Sequence, residues 1–245
     1  MELARILQSQ GFGSRKQCRT LIEIGEVTVH GALCTAPEQL FPLTNLVFSV
    51  QGLSWHYAKH VYIAMHKPTG YECSQSPHHH PSIFSLLPSP LRARGVQCVG
   101  RLDQDTTGLL LLSDDGAFIH HYSSPKKHVA KIYLAQVKHP VNETQLNTLR
   151  QGVQLHGEKN LSIPLACTTP APNTIELTIA EGKYHQVKRM IAAIGNRVTH
   201  LHRQTIGNLS LTQVPLAHLA PSQWTYLNEI ALSQLDSTLP PLTTP

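Results

Sequence analysis

Two short apolar runs, residues 95–99 and 109–112, bracket a polar stretch near the middle of the chain. Runs of this length between glycines and polar residues predict buried strands. The stretch between them reads Gly100-Arg101-Leu102-Asp103-Gln104-Asp105-Thr106-Thr107-Gly108. It is expected to be a polar turn held on a rigid sheet, a common setting for catalytic side chains. A plain structural turn is the competing reading, with Asp105 and Thr106 bonding their own backbone and Gly108 at positive φ.

Elsewhere the pattern alternates between periods of 3.6 and 2. Leu3, Ile6 and Leu7 share one helical face, and the segment breaks at Gly11–Gly13. Ser14 is placed to cap a second helix with Cys18, Leu21 and Ile22 inward and Gly25 as its stop. Val27-Thr28-Val29-His30-Gly31 reads as a strand entering a turn. Further strands are predicted over 46–50, 61–65, 129–137, 174–180, 198–201 and 209–211, and helices over 143–149 and 184–194. The 129–137 strand would carry Lys131 and Tyr133 on one face. Residues 74–94 read as a long loop with a short helix at 83–87, and residues 51–60 as a hinge. The irregular order of strands and helices predicts an α+β fold, not a doubly wound sheet. The expected division is a small domain over 1–58, a larger one over 59–232 and a frayed tail over 233–245.

Composition narrows the function classes. With 245 residues, 41% hydrophobic, the chain can build a substantial core. A formal charge of +5 allows a polyanionic partner without requiring one. The five cysteines are scattered with no Cys-x-x-Cys, which argues against a disulfide framework and a structural zinc site. The amino terminus lacks a signal-peptide pattern, and no apolar run approaches membrane-spanning length. A cytoplasmic protein with no membrane association is expected. Neither a dinucleotide fingerprint nor a phosphate loop is present, and no Gly-x-Ser-x-Gly offers a hydrolase nucleophile. His78-His79-His80, with Cys73 nearby, offers adjacent ligands where tetrahedral sites use spaced ones, so a solvated loop is expected there.

Candidate chemistry concentrates in four segments. They are His66-Lys67-Pro68-Thr69-Gly70-Tyr71, the 100–109 stretch, Lys131-Ile132-Tyr133-Leu134, and Glu181 through Met190. The last is basic at the start of a helix, where anions are favoured. Together and in this order, the four resemble the pseudouridine synthases, most closely the RsuA-type, ribosomal small-subunit branch. The resemblance covers about 60–211. Residues 14–31 separately resemble the alpha-L RNA-binding domain, with His30 where that family often has Asn or Asp. Val153-Gln154-Leu155-His156-Gly157-Glu158-Lys159 also favours the small-subunit branch.

The resemblance implies an α+β protein. A small alpha-L RNA-binding domain would precede a larger, mainly antiparallel mixed-sheet catalytic domain. It implies isomerisation of uridine in RNA, with no cofactor and no metal: N1–C1′ breaks, the uracil turns, and C5 joins C1′. Asp103 matches the essential carboxylate, which in either of two roles attacks the sugar or removes a C2′ proton. Lys188 matches the base that pairs with it, and a buried pair is expected to hold the carboxylate charged. Tyr133 matches the tyrosine against which a flipped base stacks. Expected phosphate contacts are Arg15, Lys16 and Arg19 from the small domain, with Arg101, Arg189 and Arg203 from the large one. For Arg101 an ion pair with Asp105 or Asp115 is the alternative. The implied partner is 16S ribosomal RNA, conventionally at uridine 516, or a small-subunit assembly particle, met by a monomer. A 23S rRNA target and a non-catalytic assembly factor are the alternatives.

Overall fold

A computed structural model describes residues 1–236. Contacts divide the chain into two units: Met1–Val61 with Phe84–Gln97, and Tyr62–Ile83 with Cys98 onward. Segment Phe84–Gln97, grouped with the larger domain on sequence grounds, therefore packs with the smaller unit. Gly11 explains how: at φ +86°, its ideal Cβ position would lie 2.1 Å from the Pro90 carbonyl oxygen. Arg94 adds hydrogen bonds to Gln10 Oε1 (2.6 Å) and to the Ala58 and Lys59 carbonyls (3.0 Å each).

The first unit opens with helices α1 (Leu3–Ser9) and α2 (Arg15–Glu23). Ser14 caps α2 as expected, in a box with Gln17 that satisfies two otherwise orphaned backbone donors. Strands β1 (Val27–Val29), β2 (Ala32–Leu33), β3 (Val47–Val50) and β4 (Leu53–His56) form an antiparallel sheet in the order β2-β1-β3-β4. Part of the expected hinge at 51–60 is thus strand β4, paired along its length with β3. His30 turns the β1–β2 corner at φ 47°, a left-handed conformation that Asn and Asp adopt more readily. Leu3, Ile6, Leu7, Cys18, Ile22 and Phe48 fill the core of this unit. Helix α3 (Ser89–Ala93) follows a 3-10 turn at Ile83–Leu86.

The second unit is built on a larger mixed sheet. Its strands are β5 (Tyr62–Lys67), β6 (Gln97–Cys98), β7 (Thr106–Ser113), β8 (Lys131–Val137), β9 (Ala166–Ala171), β10 (Thr174–Ile179), β11 (Val198–Ile206), β12 (Leu209–Ser210) and β13 (Trp224–Tyr226). The principal order is β13-β5-β7-β11-β8-β10-β9, with β12 beside β11 and β6 beside β7. Pairing along that order is antiparallel except between β7 and β11. The fold is α+β, as the irregular element order predicted.

Strand β7 explains the apolar run at 109–112. It lies between two strands and is buried on both faces, so it cannot show polar alternation. Leu109 and Leu111 enter one core with Ala64, Leu209, Leu216 and Leu235. Helices α4 (Gly116–Ser123), α5 (Glu143–Gln151), α6 (Gln186–Ala193) and α7 (Glu229–Asp236) complete the unit. Asp115 caps α4 by accepting from Ala117 and Phe118, and Tyr62 donates to its second oxygen at 2.8 Å. Residues 233–236, expected to fray, complete α7, and Leu235 is buried. The rest of the expected tail, 237–245, lies outside the described residues. Among the described residues no helix is long and apolar enough to cross a membrane.

Candidate active site

The polar turn is shorter than its sequence suggested. Strand β7 already begins at Thr106, so the loop proper runs from residue 99 to 105. Gly108 sits inside β7, not in the turn. It holds φ +112° because the backbone of β11 passes so closely that a Cβ would lie 2.2 Å from the Arg203 carbonyl oxygen.

A fully buried lysine organises the loop. Lys67, the last residue of β5, donates to the carbonyls of Pro68 (3.0 Å), Gln104 (3.3 Å) and Thr106 (2.9 Å). Gly70 N–H adds a bond to Gln104 O at 2.8 Å, and Thr106 N–H one to Asp103 O at 3.1 Å. Burial pushes the Lys67 ammonium below its usual range, and nearby thiol and carboxyl groups pull the other way. Backbone dipoles pointed at a buried charge recover part of its desolvation cost. The sequence motif contained Lys67, but its burial was not foreseen. The available signal was period: β5 buries alternate positions at its end, and Lys67 falls on the buried phase.

With its backbone fixed, Asp103 presents its carboxylate to α6. Lys188 Nζ lies 2.8 Å from Asp103 Oδ2 and 2.6 Å from Asp105 Oδ1. His185 Nε2, at the start of the same helix, lies 3.3 Å from Asp103 Oδ1. Burial alone would lower the Lys188 ammonium, but its hydrogen bonds to the two carboxylates hold it above the ordinary lysine value. For Asp105, burial pushes the carboxyl up, and the bond and charge of Lys188 outweigh it, leaving a net downward shift. The expected buried pair is only half-buried: side-chain exposure is 23% for Lys188 and 32% for Asp103.

Tyr133 and Thr106 line the same open pocket of about 80 Å³ as Asp103, Lys188, His185 and Arg101. Tyr133 is nearly buried on β8, in the face predicted from the strand period. Its hydroxyl accepts from Arg203 Nη1 at 3.4 Å, and the guanidinium carbon is 6.0 Å from the ring centre. The expectation that Arg203 reaches RNA phosphate is corrected: it is 2% exposed, and its Nε donates to Leu109 O at 2.8 Å. The β11 register points Arg203 inward beside Tyr133. Its Nη2 and the Thr106 hydroxyl are buried with no partner among the described residues.

The remaining expected RNA contacts differ in availability. Arg101 is exposed at the pocket and carries no hydrogen bond or ion pair among the described residues. Its suggested partners are engaged elsewhere, Asp105 by Lys188 and Asp115 at the cap of α4. Arg189 is committed to Glu158 (3.4 Å), Tyr184 O (3.2 Å) and His156 O. It fastens the 153–159 segment to α6. In the first unit, Arg15 and Lys16 are exposed on α2, while Arg19 is 2.6 Å from Glu38. Tyr184, which no sequence pattern marks as a site residue, is 73% exposed and stacks on the His185 ring at 3.8 Å. The histidine run does form a loop: the backbone N–H groups of His78, His79 and His80 all donate to the Glu72 carboxylate. These bonds, His79's first, hold Glu72 down at about 2.

Known proteins similar to this chain point to one family. The family model described as RNA pseudouridylate synthase matches residues 61–193. The ribosomal small subunit pseudouridine synthase A of Escherichia coli K12 is 38% identical over 230 residues, covering 94% of this chain and 97% of the relative. Its namesake in Yersinia pestis is 40% identical over 200 residues, covering 82% and 80%. The Vibrio cholerae namesake is 36% identical, covering 94% and 96%. A crystal structure of a pseudouridylate synthase superposes with a TM-score of 0.67 at 31% identity, covering 96% of this chain and 99% of that one. The chain belongs to the RNA pseudouridylate synthase family, and it is an enzyme of that isomerase class.

Proposed function

We propose that this enzyme converts one uridine of 16S ribosomal RNA to pseudouridine, at the position equivalent to uridine 516, with Asp103 as the essential carboxylate. The observation that carries the proposal is the grip of Lys188 and His185 on Asp103 in the pocket that Tyr133 lines. The small-subunit assignment is supported by relatives of that name aligned over nearly the whole chain.

Both chemical routes open to Asp103 need an ionised carboxylate beside the ribose. Lys188 faces it with a positive charge and fixes the orientation of Oδ2, leaving Oδ1 on the His185 side. Tyr133 supplies the flat surface for an extruded uracil, and its hydroxyl takes the C5 proton after the base has turned. Arg101, unpaired at the rim, meets a phosphate of the flipped nucleotide. Arg15, Lys16 and Arg19 supply further phosphate contacts from the first unit. Base extrusion costs a few kcal/mol, which such phosphate contacts offset. The enzyme acts as a monomer in the cytoplasm, without cofactor or metal, on 16S RNA or a partly assembled small subunit.

The test is a pseudouridine map of 16S and 23S rRNA from cells lacking the gene, complemented with wild type or Asp103→Asn. The expected result is loss of one 16S site, restored by wild type alone. Loss of a 23S site would keep the chemistry and overturn the substrate assignment. Restoration by Asp103→Asn would remove the carboxylate from the mechanism and leave an RNA-binding assembly factor as the better reading.

A further inference from the structure

Where α6 begins, two rings lie face to face. Tyr184 and His185 stack with 3.8 Å between ring centres and 17° between planes. Consecutive side chains in a strand point to opposite faces, and in a helix they diverge by about 100°. Here His185 stands at φ 47° and ψ 34°, a left-handed conformation uncommon for a residue with a side chain, and that turn lets the two rings meet. His185 does not use the position to cap the helix, since its side chain makes no capping bond. Its Nε2 instead lies 3.3 Å from Asp103 Oδ1. Backbone held in sparsely populated conformations gathers at ligand-binding and catalytic sites.

The stack has one closed face and one open one. His185 covers the inner face of the Tyr184 ring, and the residue is otherwise mostly exposed. The Tyr184 hydroxyl makes no hydrogen bond among the described residues. Neither burial nor that group therefore accounts for a tyrosine here. Its main chain is fixed, because Arg189 Nη1 donates to Tyr184 O at 3.2 Å while also reaching Glu158 at 3.4 Å. A free aromatic face thus stands one ring beyond His185, which itself contacts Asp103.

We propose that the outer face of Tyr184 is a stacking platform for an unpaired RNA base next to the uridine that Asp103 acts on.

The ligand class follows from the surroundings. The chain belongs to a family of enzymes that act on RNA, and unpaired RNA bases are bound by stacking on aromatic side chains. Every base has a π-face, so such a platform holds RNA without reading its sequence. Arg101, exposed and unpaired among the described residues, lines the same pocket as His185. Its guanidinium meets the phosphate between two nucleotides when one base enters the pocket beside Tyr133 and the next rests on Tyr184. Glu181, a carboxylate on this segment, is paired with Lys183 at 3.1 Å, which limits its repulsion of that phosphate. Extruding a uridine leaves its neighbour without a stacking partner on one side. Tyr184 replaces the lost stack and so lowers the cost of extrusion. The ring meets no reacting atom, so its effect is on RNA binding.

The place of the stacked base rests on the proposed role of Asp103; stacking on RNA does not require 16S as the target. The test measures binding of the full-length protein, Tyr184→Ala and Tyr184→Phe to a short single-stranded RNA copied from the unmodified 16S site. The same RNA is remade with single abasic positions on either side of the target. Tyr184→Ala is expected to bind roughly 5- to 100-fold more weakly. Tyr184→Phe keeps the ring and is expected to restore the affinity. One abasic position should weaken the wild type by a similar factor and leave Tyr184→Ala unchanged. At saturating RNA the pseudouridine rate of Tyr184→Ala should recover to within about fivefold of wild type, because the loss is in binding. Equal affinity of Tyr184→Ala and wild type would overturn the platform. So would a loss seen only in the rate at saturation, which would leave Tyr184 as a support for His185. A loss of affinity that no abasic position reproduces would overturn a base as the occupant. RNA that binds with this Tyr184 dependence but is never modified would count against the 16S assignment and leave the platform standing. A single-stranded uridine oligomer carries the same comparison if the natural target is another RNA, because stacking tolerates any base.

Discussion

Lys188 Nζ bridges Asp103 Oδ2 and Asp105 Oδ1 at 2.8 Å and 2.6 Å, joining the α6 helix to a loop some 85 residues earlier. A fully buried pair broken on one side costs roughly 3–5 kcal/mol, and an exposed pair at most about 1. With partial exposure on both sides, Lys188→Ala is expected to lose about 1–2 kcal/mol, a fall in Tm of roughly 2–8 °C. The loss of activity should be far larger, at least about 100-fold, because an unheld carboxylate samples unproductive orientations. Lys188→Arg should restore the stability and only part of the rate, since a planar guanidinium cannot copy the point contact of an ammonium. Thermal melts and single-turnover rates separate the two effects. Full activity in Lys188→Ala would remove this residue from the mechanism.

Tyr133→Phe separates stacking from proton transfer. The ring stays, so RNA affinity should change less than about twofold. The hydroxyl that accepts from Arg203 Nη1 is lost, leaving a buried guanidinium with one partner fewer at a cost of roughly 1–3 kcal/mol. If the hydroxyl takes the C5 proton, the single-turnover rate falls by about 100-fold or more while binding holds. A rate within twofold of wild type would confine Tyr133 to stacking.

How much of this was legible depended on whether a feature is local. Ser14 capping α2, Leu3 and Ile6 facing inward, and Tyr133 sharing a face with Lys131 are all encoded within one or two turns of chain. The identities of Asp103 and Lys188 came from motifs, and the structure brings the two together. What was not legible is pairing over distance. The inward turn of Arg203 depends on the parallel register of β7 with β11, and a basic residue in a strand reads as exposed until that register is known. Lys67 is buried because three carbonyls from two separate segments converge on it. Other elements were also missed: β2 is only two residues long, and β9, with Thr168, Thr169 and Pro170, and α4, with its mixed faces, show little periodic signal.

Gly108 offers a purely mechanical prediction. Its positive φ and the 2.2 Å approach to Arg203 O leave no room for a methyl group, and the obstacle is backbone, which cannot rotate away. Gly108→Ala is expected to cost about 2–5 kcal/mol and to lower Tm by roughly 5–15 °C. The strain should spread to both strands, because the same contact fixes β7 against β11. Hydrogen exchange should therefore quicken at Leu201–Arg203 as well as at Thr106–Leu109. A variant as stable as wild type would mean that the two strands do not approach this closely.

Lys131 provides a pH signature in the same neighbourhood. Burial lowers its ammonium, the charge of Arg203 lowers it further, and it falls to about 8 in the folded protein, against about 10.4 in an unfolded chain. Between those values the unfolded state holds more protons, so the contribution of Lys131 to stability rises as pH climbs from about 8 to 10.4. Below that window the folded protein bears the full cost of a charged lysine in a poor site. Its single hydrogen bond, to Val129 O at 2.8 Å, offsets only part of it. Lys131→Met removes both the cost and the bond. The variant is expected to be more stable than wild type by about 1–2 kcal/mol at pH 7. That advantage should fade through pH 8–10 and vanish above about 10.4. Urea unfolding of both proteins at pH 7 and pH 10 measures the difference directly. A variant less stable at pH 7 would show that the ammonium is well satisfied where it sits, beside Tyr133 and Arg203.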